Sequence, residues 1–357
     1  MPSAQKHALV VGASGLLGTH LVDHLQRDGG WSITTLSRGA RGQAGDHVAL
    51  DLEDRDACMA AAPAFKDITH VFYGSRAVRP GYRIDLDANQ AMLANLCDAM
   101  VTRNNNPVHV QLVHGLKWYG FNLGPAPTPA REDTPAHPDA SFYLRQRDYI
   151  SKFAADASWT WSTVRPHLIC AVARNSPSNI VSVIGTLAAV LREQGEPLWF
   201  PGPEAAFDAH ITVSDIALLC RQMSWIAAMP ECCGEDFNTV NGDVMSWREL
   251  WPEVAAGFGM AAGGVRPTCL VDYMRDKDAL WADMVVRYGL ENDGFASMCD
   301  WSFADASFGL GWDQKASSEK LRKHGFKETV DTRRMFLDYL EEYRQRKLLP
   351  RGKEVTS

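Results

Sequence analysis

The sequence lacks several features that would assign the protein to a specialised class. Its eight cysteines include no CxxC pair and no companion histidines at metal-ligand spacing, which argues against a structural zinc site and indicates reduced core thiols. The 36 basic and 43 acidic residues form no long block of like charge, so neither a nucleic-acid arm nor a membrane patch is expected. The first residues hold only a short apolar run broken by glycines, so they form neither a secretory signal nor a spanning helix of roughly 20 residues. We therefore expect a cytoplasmic protein that acts on a small molecule.

The size and composition indicate a globular protein with a large core. Its 357 residues, 46% of them apolar, suffice for one large domain or two closely joined ones. Strand-length apolar segments such as 8–11, 32–36 and 108–113 alternate with helical segments, which predicts an α/β fold with a doubly wound parallel sheet of the Rossmann type. Later the pattern becomes mainly helical. We expect a cofactor-binding domain over 1–165 and a smaller helical substrate-binding cap over 166–357, with some chain returning to the sheet.

A glycine-rich turn follows the first predicted strand. Gly12, Gly15 and Gly18 stand in GxxGxxG spacing between that strand and an amphipathic helix. The first glycine permits the tight turn, the second lets the backbone approach a pyrophosphate, and the third allows close helix–strand packing. Free N–H groups at the helix start attract the anion. The motif therefore predicts a dinucleotide site whose turn consists of Gly12, Ser14, Gly15, Leu16, Leu17 and Gly18.

No acidic residue follows the second predicted strand, where an NAD-selective protein usually carries one for the ribose hydroxyls. Ser37 and Arg38 stand there instead, and a guanidinium offers a planar fork of donors that matches a 2′-phosphate. The sequence therefore favours NADPH over NADH; a solvated loop arginine is the alternative. Asp51 and Leu52, at the end of the third predicted strand, are assigned to the adenine side of the cofactor, and Asp51 equally fits a cap of the next helix.

The tyrosine–lysine pair of ordinary short-chain reductases is missing from its expected position. In those enzymes i,i+4 spacing on one helix brings an ammonium beside the catalytic phenol. That spacing occurs only at Tyr273 with Lys277 and at Tyr343 with Lys347, far beyond the segments that should supply the site. We interpret both pairs as surface helix faces, so the catalytic cation must come from elsewhere.

A lysine at the end of the fifth predicted strand can supply the missing ammonium. Tyr143 lies on the helix expected after that strand, and its i+4 residue is Arg147, which we interpret as a solvated helix residue. Lys117 lies just past the strand end, the edge of a parallel sheet where ligands bind. From there its ammonium could sit near Tyr143 and the nicotinamide ribose; an exposed loop lysine is the alternative.

The segments around these two residues carry a family resemblance. GLKWYG at 115–120 and SFY at 141–143, together with the glycine turn, are similar to the progesterone 5β-reductase and iridoid synthase-like enone reductases, an atypical branch of the short-chain dehydrogenase/reductase superfamily. The resemblance implies that Lys117 and Tyr143 are the catalytic pair, that Arg38 contacts a phosphate, and that the reaction is an NADPH-dependent 1,4-reduction of an activated alkene. The candidate cofactor contacts are Gly12, Ser14, Gly15, Leu16, Leu17, Gly18, Ser37, Arg38, Asp51, Leu52, Lys117, Tyr143 and Pro166.

The sequence departs from the family pattern at positions that should face the substrate. Trp118 replaces the usual histidine after Lys117, His167 replaces the usual glycine beside Pro166, and a tryptophan common after the fourth strand is absent, because Gly-Ser-Arg follows Tyr73 there. His167 is either a substrate contact or a hydrogen-bonded wall residue. The stretch 320–326 resembles one that brings an aromatic toward the pocket, with core packing as the alternative. The candidate substrate contacts are Trp118, Phe142, His167 and Phe326.

Together these features predict an enzyme that reduces a small hydrophobic carbonyl compound. Tyr143 would donate a hydrogen bond to the carbonyl oxygen as enolate charge develops there. Direct 1,2-reduction of a ketone, aldehyde or imine on the same fold is the main alternative, and an NADPH-sensing regulator without turnover is a third. The sequence does not specify the oligomeric state, and a homodimer is compatible with it.

Overall fold

The core of the molecule is a seven-stranded parallel sheet. The computed structural model describes residues 6–39, 46–79, 83–291 and 294–351. Strands β1 to β7 of the sheet are, in chain order, Lys6–Val11, Trp31–Ser37, Asp46–Ala49, His70–Tyr73, His109–Val113, Thr160–Arg165 and Glu235–Asn238. They lie in the order 3-2-1-4-5-6-7, and all neighbours in the sheet are parallel. The predicted Rossmann-type fold is therefore confirmed.

Helices flank this sheet and form most of the second half of the chain. In chain order, α1 to α14 are Leu16–Asp28, Arg55–Ala61, Leu86–Val101, Ser141–Ala157, Ile180–Glu193, Glu204–Asp208, Ile216–Ala228, Trp247–Gly257, Leu270–Met274, Asp278–Tyr288, Phe295–Met298, Trp301–Phe308, Glu319–Lys323 and Thr332–Gln345. Short 3-10 helices lie at Ala62–Phe65, Leu116–Tyr119 and Pro230–Cys232. Small two-stranded pairings join Val78–Arg79 to Arg83–Ile84, Ile169–Cys170 to Ser214–Asp215, Leu198–Phe200 to Ala262–Val265, and His210–Ile211 to Met245–Ser246. None of the helices in the described ranges has the length and apolar character needed to cross a bilayer.

The alternation of side chains along β1 divides the sheet core into two layers. Leu9 and Val11 pack in one apolar cluster, and Ala8 and Val10 pack in the cluster on the opposite face. This division follows because successive strand residues point to opposite faces of a sheet. A third cluster fills the helical region around α5, where all residues from Ile180 to Leu191 are buried. A helix that is apolar all round is stable only when it is enclosed by other elements.

The second half of the chain contributes to the sheet and its covering layer. Strand β7 pairs with β6, and α7 packs against α1 on one face of the sheet. Asp215 caps α7 by accepting a hydrogen bond from the Leu218 backbone N–H at 2.6 Å.

Strand β3 ends earlier than the sequence pattern indicated. The predicted strand ran to Leu52, but the observed one stops at Ala49, and Asp51 forms a local turn by accepting from the Glu53 backbone N–H. Helix α2 is capped by Asp54, which accepts from the Ala57 backbone N–H, so the capping role proposed as an alternative for Asp51 belongs to its neighbour. Asp51 remains exposed beyond the carboxyl end of β3.

Two buried histidines make the stability of the fold sensitive to acid. Burial lowers the pKa of His109 to about 3 and that of His114 to about 3. Above the ordinary histidine pKa both states carry neutral rings, and the fold keeps its full stability. As pH falls from about 6.5 toward 3, the histidines of the unfolded chain bind protons, whereas those of the folded chain stay neutral. The fold therefore loses stability over this pH range. We expect these two rings alone to lower the free energy of unfolding by roughly 4 kcal/mol between pH 7 and pH 5, about 2 kcal/mol for each ring.

Urea unfolding followed by circular dichroism at the two pH values measures this loss. In His109→Gln the loss between pH 7 and pH 5 should shrink by about 2 kcal/mol, because one histidine whose pKa is lowered by burial has been removed. The same change at the exposed His210 is the control and should leave the loss unchanged. Equal losses in His109→Gln and the parent protein would contradict the assignment.

Candidate active site

The glycine turn after β1 forms a tight cradle. Gly12 adopts a left-handed φ of +83°, and a Cβ on Gly18 would stand 2.3 Å from the Gly12 carbonyl oxygen, so helix α1 can approach the strand only without a side chain there. No side chain caps the start of α1 at Gly15, which leaves the first N–H groups of the helix available to an anion. Ser14 is exposed at this turn, and Leu16 and Leu17 are half-buried. The cradle therefore has the close backbone approach and the free N–H groups that a pyrophosphate requires.

The cradle lies at the point where the strand order reverses. Strand β1 has β2 on one side and β4 on the other, and parallel α/β sheets bind ligands at such a switch point. The chain leaving β4 approaches the turn closely, since a Cβ on Gly12 would lie 3.1 Å from the Ser75 Oγ. The residues after β4 therefore border the same crevice as the glycine turn.

Lys117 lies in a one-turn 3-10 helix that directly follows β5. The turn Leu116–Tyr119 is closed by Gly120 in the left-handed conformation, with φ of +78°. The Leu116 backbone N–H donates to the Pro166 carbonyl at 3.2 Å, which ties the turn to the end of β6. The Lys117 side chain is only partly covered by the protein, and its ammonium makes no hydrogen bond or ion pair with any residue in the described part of the chain. Its ammonium is thus free to meet a ligand.

Tyr143 is held in the first turn of α4 and faces the Lys117 turn. The residue is 8% exposed, and its hydroxyl lies 3.3 Å from the position that a Cβ on Gly115 would occupy. Burial raises the pKa of this hydroxyl above its usual range, and the nearby charge of Arg76 opposes the rise. The phenol stays protonated at neutral pH, and within the described residues it has no hydrogen-bond partner. Tyr143 can therefore donate its proton to a ligand oxygen.

Arg76 exerts its charge on both members of the predicted pair. Burial lowers the pKa of the Lys117 ammonium, and the charge of Arg76 adds to that shift. Among the described charges Arg76, and not Lys117, lowers the pKa of Tyr143. The structure therefore brings Lys117 and Tyr143 to one edge of the sheet, but it leaves the ammonium out of direct contact with the phenol.

A ring-lined floor supports Tyr143. The His114 ring centre lies 5.0 Å from that of Tyr143 and 6.0 Å from that of Trp118, in a stacked arrangement with the latter. Phe142 packs on the other side of Tyr143 at 4.9 Å between ring centres. Trp118 is 6% exposed, and its indole N–H donates to the Thr134 carbonyl. Trp118 and Phe142, both predicted substrate contacts, are therefore mainly parts of the buried floor.

A buried ion network lies beneath this floor. The guanidinium of Arg165, fully buried, stacks at 3.9 Å over the Trp118 ring and pairs with Asp236 at 3.2 Å. The carboxylate of Asp236 also accepts from Arg147 at 3.0 Å. Arg147 was expected to be a solvated helix residue, and that expectation is wrong, because α4 carries it against β7 and its charge is neutralised there. This network holds α4 and the Lys117 turn in register.

His167 borders the site with a neutral ring. Burial lowers its pKa to about 4, a hydrogen bond with the Gln314 side chain opposes this shift, and the charge of Lys117 adds to it. Its ring centre lies 6.4 Å from that of Phe121, and its Nε2 atom is buried without a partner in the described residues. His167 therefore lines the wall of the site, and its Nε2 atom remains available to a ligand.

The candidate contacts of the adenosine half lie at the carboxyl ends of β2 and β3. Arg38 is exposed directly after β2, and the Ser37 hydroxyl donates to the Gly39 carbonyl at 2.8 Å. Leu52 is 2% exposed, and its carbonyl accepts from the Asn95 side chain. No acidic residue follows β2 within the described residues 38 and 39, in agreement with the sequence.

Phe326 lies away from the candidate site. It packs at 5.6 Å between ring centres against Trp225, in the cluster that joins α1 and α7 to the sheet. The prediction that it reaches the pocket is therefore wrong, and the alternative of core packing holds. The short helix α13 ends at Lys323 and directs the following residues toward that core.

In the described ranges no group of His, Cys, Asp or Glu side chains is arranged to hold a metal ion.

Gly115 provides a direct test of the tyrosine position. Its φ of −174° suits any residue, so alanine is tolerated by the backbone, but the new Cβ would stand 3.3 Å from the Tyr143 oxygen and push it away. We expect Gly115→Ala to lower turnover by roughly 10- to 100-fold, because small displacements of a reacting group are costly. Steady-state kinetics measures the loss. Gly124→Ala, with no atom within 4 Å of its Cβ, is the control and should be silent; full activity in Gly115→Ala would contradict the placement.

Two residues of this site escaped the sequence analysis. Arg76 was noted only as part of a departure from the family pattern, although its place just after β4, at the ligand-binding edge, was a usable signal. His114 closes β5 beneath Tyr143, and its role as floor depends on a side-chain direction that periodicity does not specify.

The fold and this edge define the class of protein. A parallel sheet in this order, a glycine cradle at its switch point and a tyrosine on the helix after β5 are the features of a short-chain dehydrogenase/reductase. The chain matches the model of a PRISE-like Rossmann-fold domain over residues 47–350. It therefore belongs to the PRISE-like family and is an oxidoreductase of the short-chain dehydrogenase/reductase superfamily, which confirms the resemblance predicted from the sequence.

Named relatives match along nearly the whole chain. (S)-8-oxocitronellyl enol synthase ISY2 of Nepeta racemosa is 29% identical over 364 residues, covering 96% of this chain and 91% of the relative. The 3-oxo-Delta(4,5)-steroid 5-beta-reductase of Arabidopsis thaliana is 29% identical over 369 residues, covering 98% and 94%. Among solved structures, the UDP-glucose 4-epimerase of Thermus thermophilus in complex with NAD has a TM-score of 0.64 at 16% identity, covering 94% of this chain and 99% of the other. A putative epimerase from Burkholderia cenocepacia has a TM-score of 0.66 at 18% identity, covering 95% and 98%; both share the fold.

Proposed function

We propose that the protein is an NADPH-dependent reductase of activated alkenes, which reduces enones or enals by 1,4-addition. The observation that carries the proposal is the Tyr143 hydroxyl, a protonated phenol without a partner in the described structure, which lies against Gly115 at the start of the Lys117 turn. Relatives named as an enol synthase and a steroid 5β-reductase support the substrate class. The partner would be a small, largely apolar carbonyl compound.

The residues present fit a nicotinamide dinucleotide. The cradle and the uncapped start of α1 would hold the pyrophosphate, Ser37 and Arg38 the 2′-phosphate, and Asp51 and Leu52 the adenine side. Solved structures of the same fold are named as complexes with NAD, which supports a nicotinamide cofactor here. When bound, the reduced nicotinamide supplies the hydride that adds to the β-carbon of the substrate.

The protein's own groups would stabilise the charge that develops on the carbonyl oxygen. Tyr143 donates a hydrogen bond to that oxygen as the enolate forms, from a side chain that is itself largely buried. Lys117 holds the nicotinamide ribose and orients the ring toward the substrate. A proton from water then completes the reduction at the α-carbon.

Arg38 is assigned the choice between NADPH and NADH. We expect Arg38→Ala to lower the ratio of kcat/KM for NADPH to that for NADH by roughly 10- to 100-fold, since a charge-assisted hydrogen-bond pair to the 2′-phosphate is removed. Initial rates with both cofactors measure the ratio, and the NADH rate serves as the internal control because NADH lacks that phosphate. A ratio equal to that of the parent protein would exclude Arg38 from cofactor selection.

The proposal is tested by NADPH consumption across enones, enals, ketones and imines, with products identified. A saturated ketone or aldehyde from an enone or enal is the expected result, and an allylic alcohol would overturn 1,4-addition.

Direct 1,2-reduction is the second candidate, favoured by His167, whose Nε2 atom adds a polar group that can orient a carbonyl compound or imine differently. The division into a cofactor domain over 1–165 and a substrate region over 166–357 also remains a proposal.

A further inference from the structure

An arginine beside the candidate site has no charge partner in the described structure. Arg76 lies three residues beyond β4, is exposed, and makes no ion pair or hydrogen bond with any described residue. Its neighbour Arg79 differs in this respect, because it is engaged by both Glu53 at 2.6 Å and Asp85 at 2.9 Å. Both carboxylates next to this segment thus form ion pairs with Arg79, and neither pairs with Arg76.

The position of Arg76 is that of a site residue. Strands β4 and β5 are neighbours in the sheet, so the chain segments that follow them, which carry Arg76 and Lys117, leave at the same edge. Ser75, its direct neighbour, borders the Gly12 turn, which places the segment at the crevice. The charge of Arg76 acts on the pKa of both Lys117 and Tyr143, in agreement with this placement.

The described part of this crevice offers positive charge without a balancing acid. No carboxylate is among the groups whose charge shifts the pKa of Lys117 or Tyr143. Asp236, the acid of the network below, is buried and already neutralised by Arg165 and Arg147. A wholly neutral substrate would leave the exposed Arg76 guanidinium with water as its only partner at the edge of the site.

We propose that Arg76 binds a carboxylate carried by the substrate, so that the natural alkene is an acidic one with its reacting bond and its anionic end held at opposite sides of the site. This inference rests on the proposed function and narrows its substrate class. A guanidinium presents a planar pair of N–H donors that matches a carboxylate, and the pairing strengthens where water is excluded. A cofactor phosphate would supply the same anionic chemistry, so the test separates the two sources.

The experiment compares an enone whose chain ends in a carboxylate with the methyl ester of the same compound. The parent protein is expected to prefer the carboxylate by roughly 10- to 100-fold in kcat/KM. In Arg76→Met this preference should fall to near one, and Arg76→Lys should keep part of it, since the charge remains while the planar fork is lost. Arg103→Met, an exposed arginine between α3 and β5 and thus at the opposite edge of the sheet, is the control and should keep the full preference.

Three outcomes would overturn the inference. They are no preference in the parent protein, a preference that survives in Arg76→Met, and an equal loss with both substrates. An equal loss accompanied by a raised KM for NADPH would assign Arg76 to a cofactor phosphate instead.

A binding measurement keeps the test independent of turnover. Isothermal titration calorimetry of the protein saturated with NADP⁺ compares a saturated carboxylic acid with its methyl ester, neither of which can react. Tighter binding of the acid by roughly 10-fold, lost in Arg76→Met and kept in Arg103→Met, is the expected result. If neither enone is reduced but the acid binds in this way, the proposed reaction fails while the anion site stands. Equal binding of acid and ester overturns the anion site.

Discussion

Tyr143→Phe is expected to lower kcat for reduction of an enone by roughly 100- to 1,000-fold, because it removes one preorganised donor to a developing oxyanion. The phenol has no other duty in the described structure, since its hydroxyl makes no hydrogen bond to a described residue. The ring itself packs against His114 and Phe142, and phenylalanine preserves those contacts. The loss should therefore appear in kcat, with little change in NADPH affinity or in stability.

A second tyrosine on the same helix provides the control for this variant. Tyr149 lies on α4 and packs its ring on Phe153 at 5.7 Å between ring centres, in the core below the sheet rather than at its edge. Tyr149→Phe should leave turnover unchanged. Stopped-flow or steady-state rates with a fixed enone measure both variants, and a Tyr143→Phe protein with the parent rate would remove the phenol from the mechanism.

Local patterns predicted most of the fold because they depend on neighbours in the chain. The GxxGxxG spacing placed the turn between β1 and α1, and the apolar segments 8–11, 32–36 and 108–113 fall on β1, β2 and β5. The parallel, doubly wound character of the sheet followed from the alternation of strands and helices. Boundaries set by side-chain capping were less certain, as the exchange of roles between Asp51 and Asp54 shows.

The parts of the site that the sequence did not predict depend on contacts between distant segments. Arg147 belongs to a buried network only because β7, nearly ninety residues later, brings Asp236 beneath α4. Phe326 looked like a pocket residue from its neighbours in the sequence, but the cluster around Trp225 supplies a better place for it. The sequence also did not identify Arg76 as a site residue. It is an exposed loop arginine, and only the strand order shows that it lies at the same edge of the sheet as Lys117 and Tyr143.

The second large effect is expected at the lysine that replaces the helix-borne one. Lys117→Met should lower kcat/KM by roughly 100-fold or more, because charge-assisted hydrogen bonds from the ammonium to the cofactor ribose are lost together. The structure supports this role more directly than a role in ionising the phenol, since Lys117 does not shift the pKa of Tyr143. We therefore expect the KM for NADPH to rise, whereas Tyr143→Phe should leave it nearly unchanged.

The pH dependence of the reaction tests whether turnover needs the positive charge of Lys117. Burial lowers the pKa of Lys117 below the ordinary lysine value, so its charge, present at neutral pH, is lost as pH rises through that lowered value. The rate should accordingly fall at alkaline pH earlier than an ordinary lysine would allow, and Lys117→Met should abolish this limb of the profile. Lys152→Met, at an exposed position of α4, is the control and should keep it. If the alkaline limb is unaltered in Lys117→Met, the fall in rate belongs to another titrating group. If the rate itself is unaltered, the cofactor is oriented without Lys117, and Tyr143 acts with the charge of Arg76 alone.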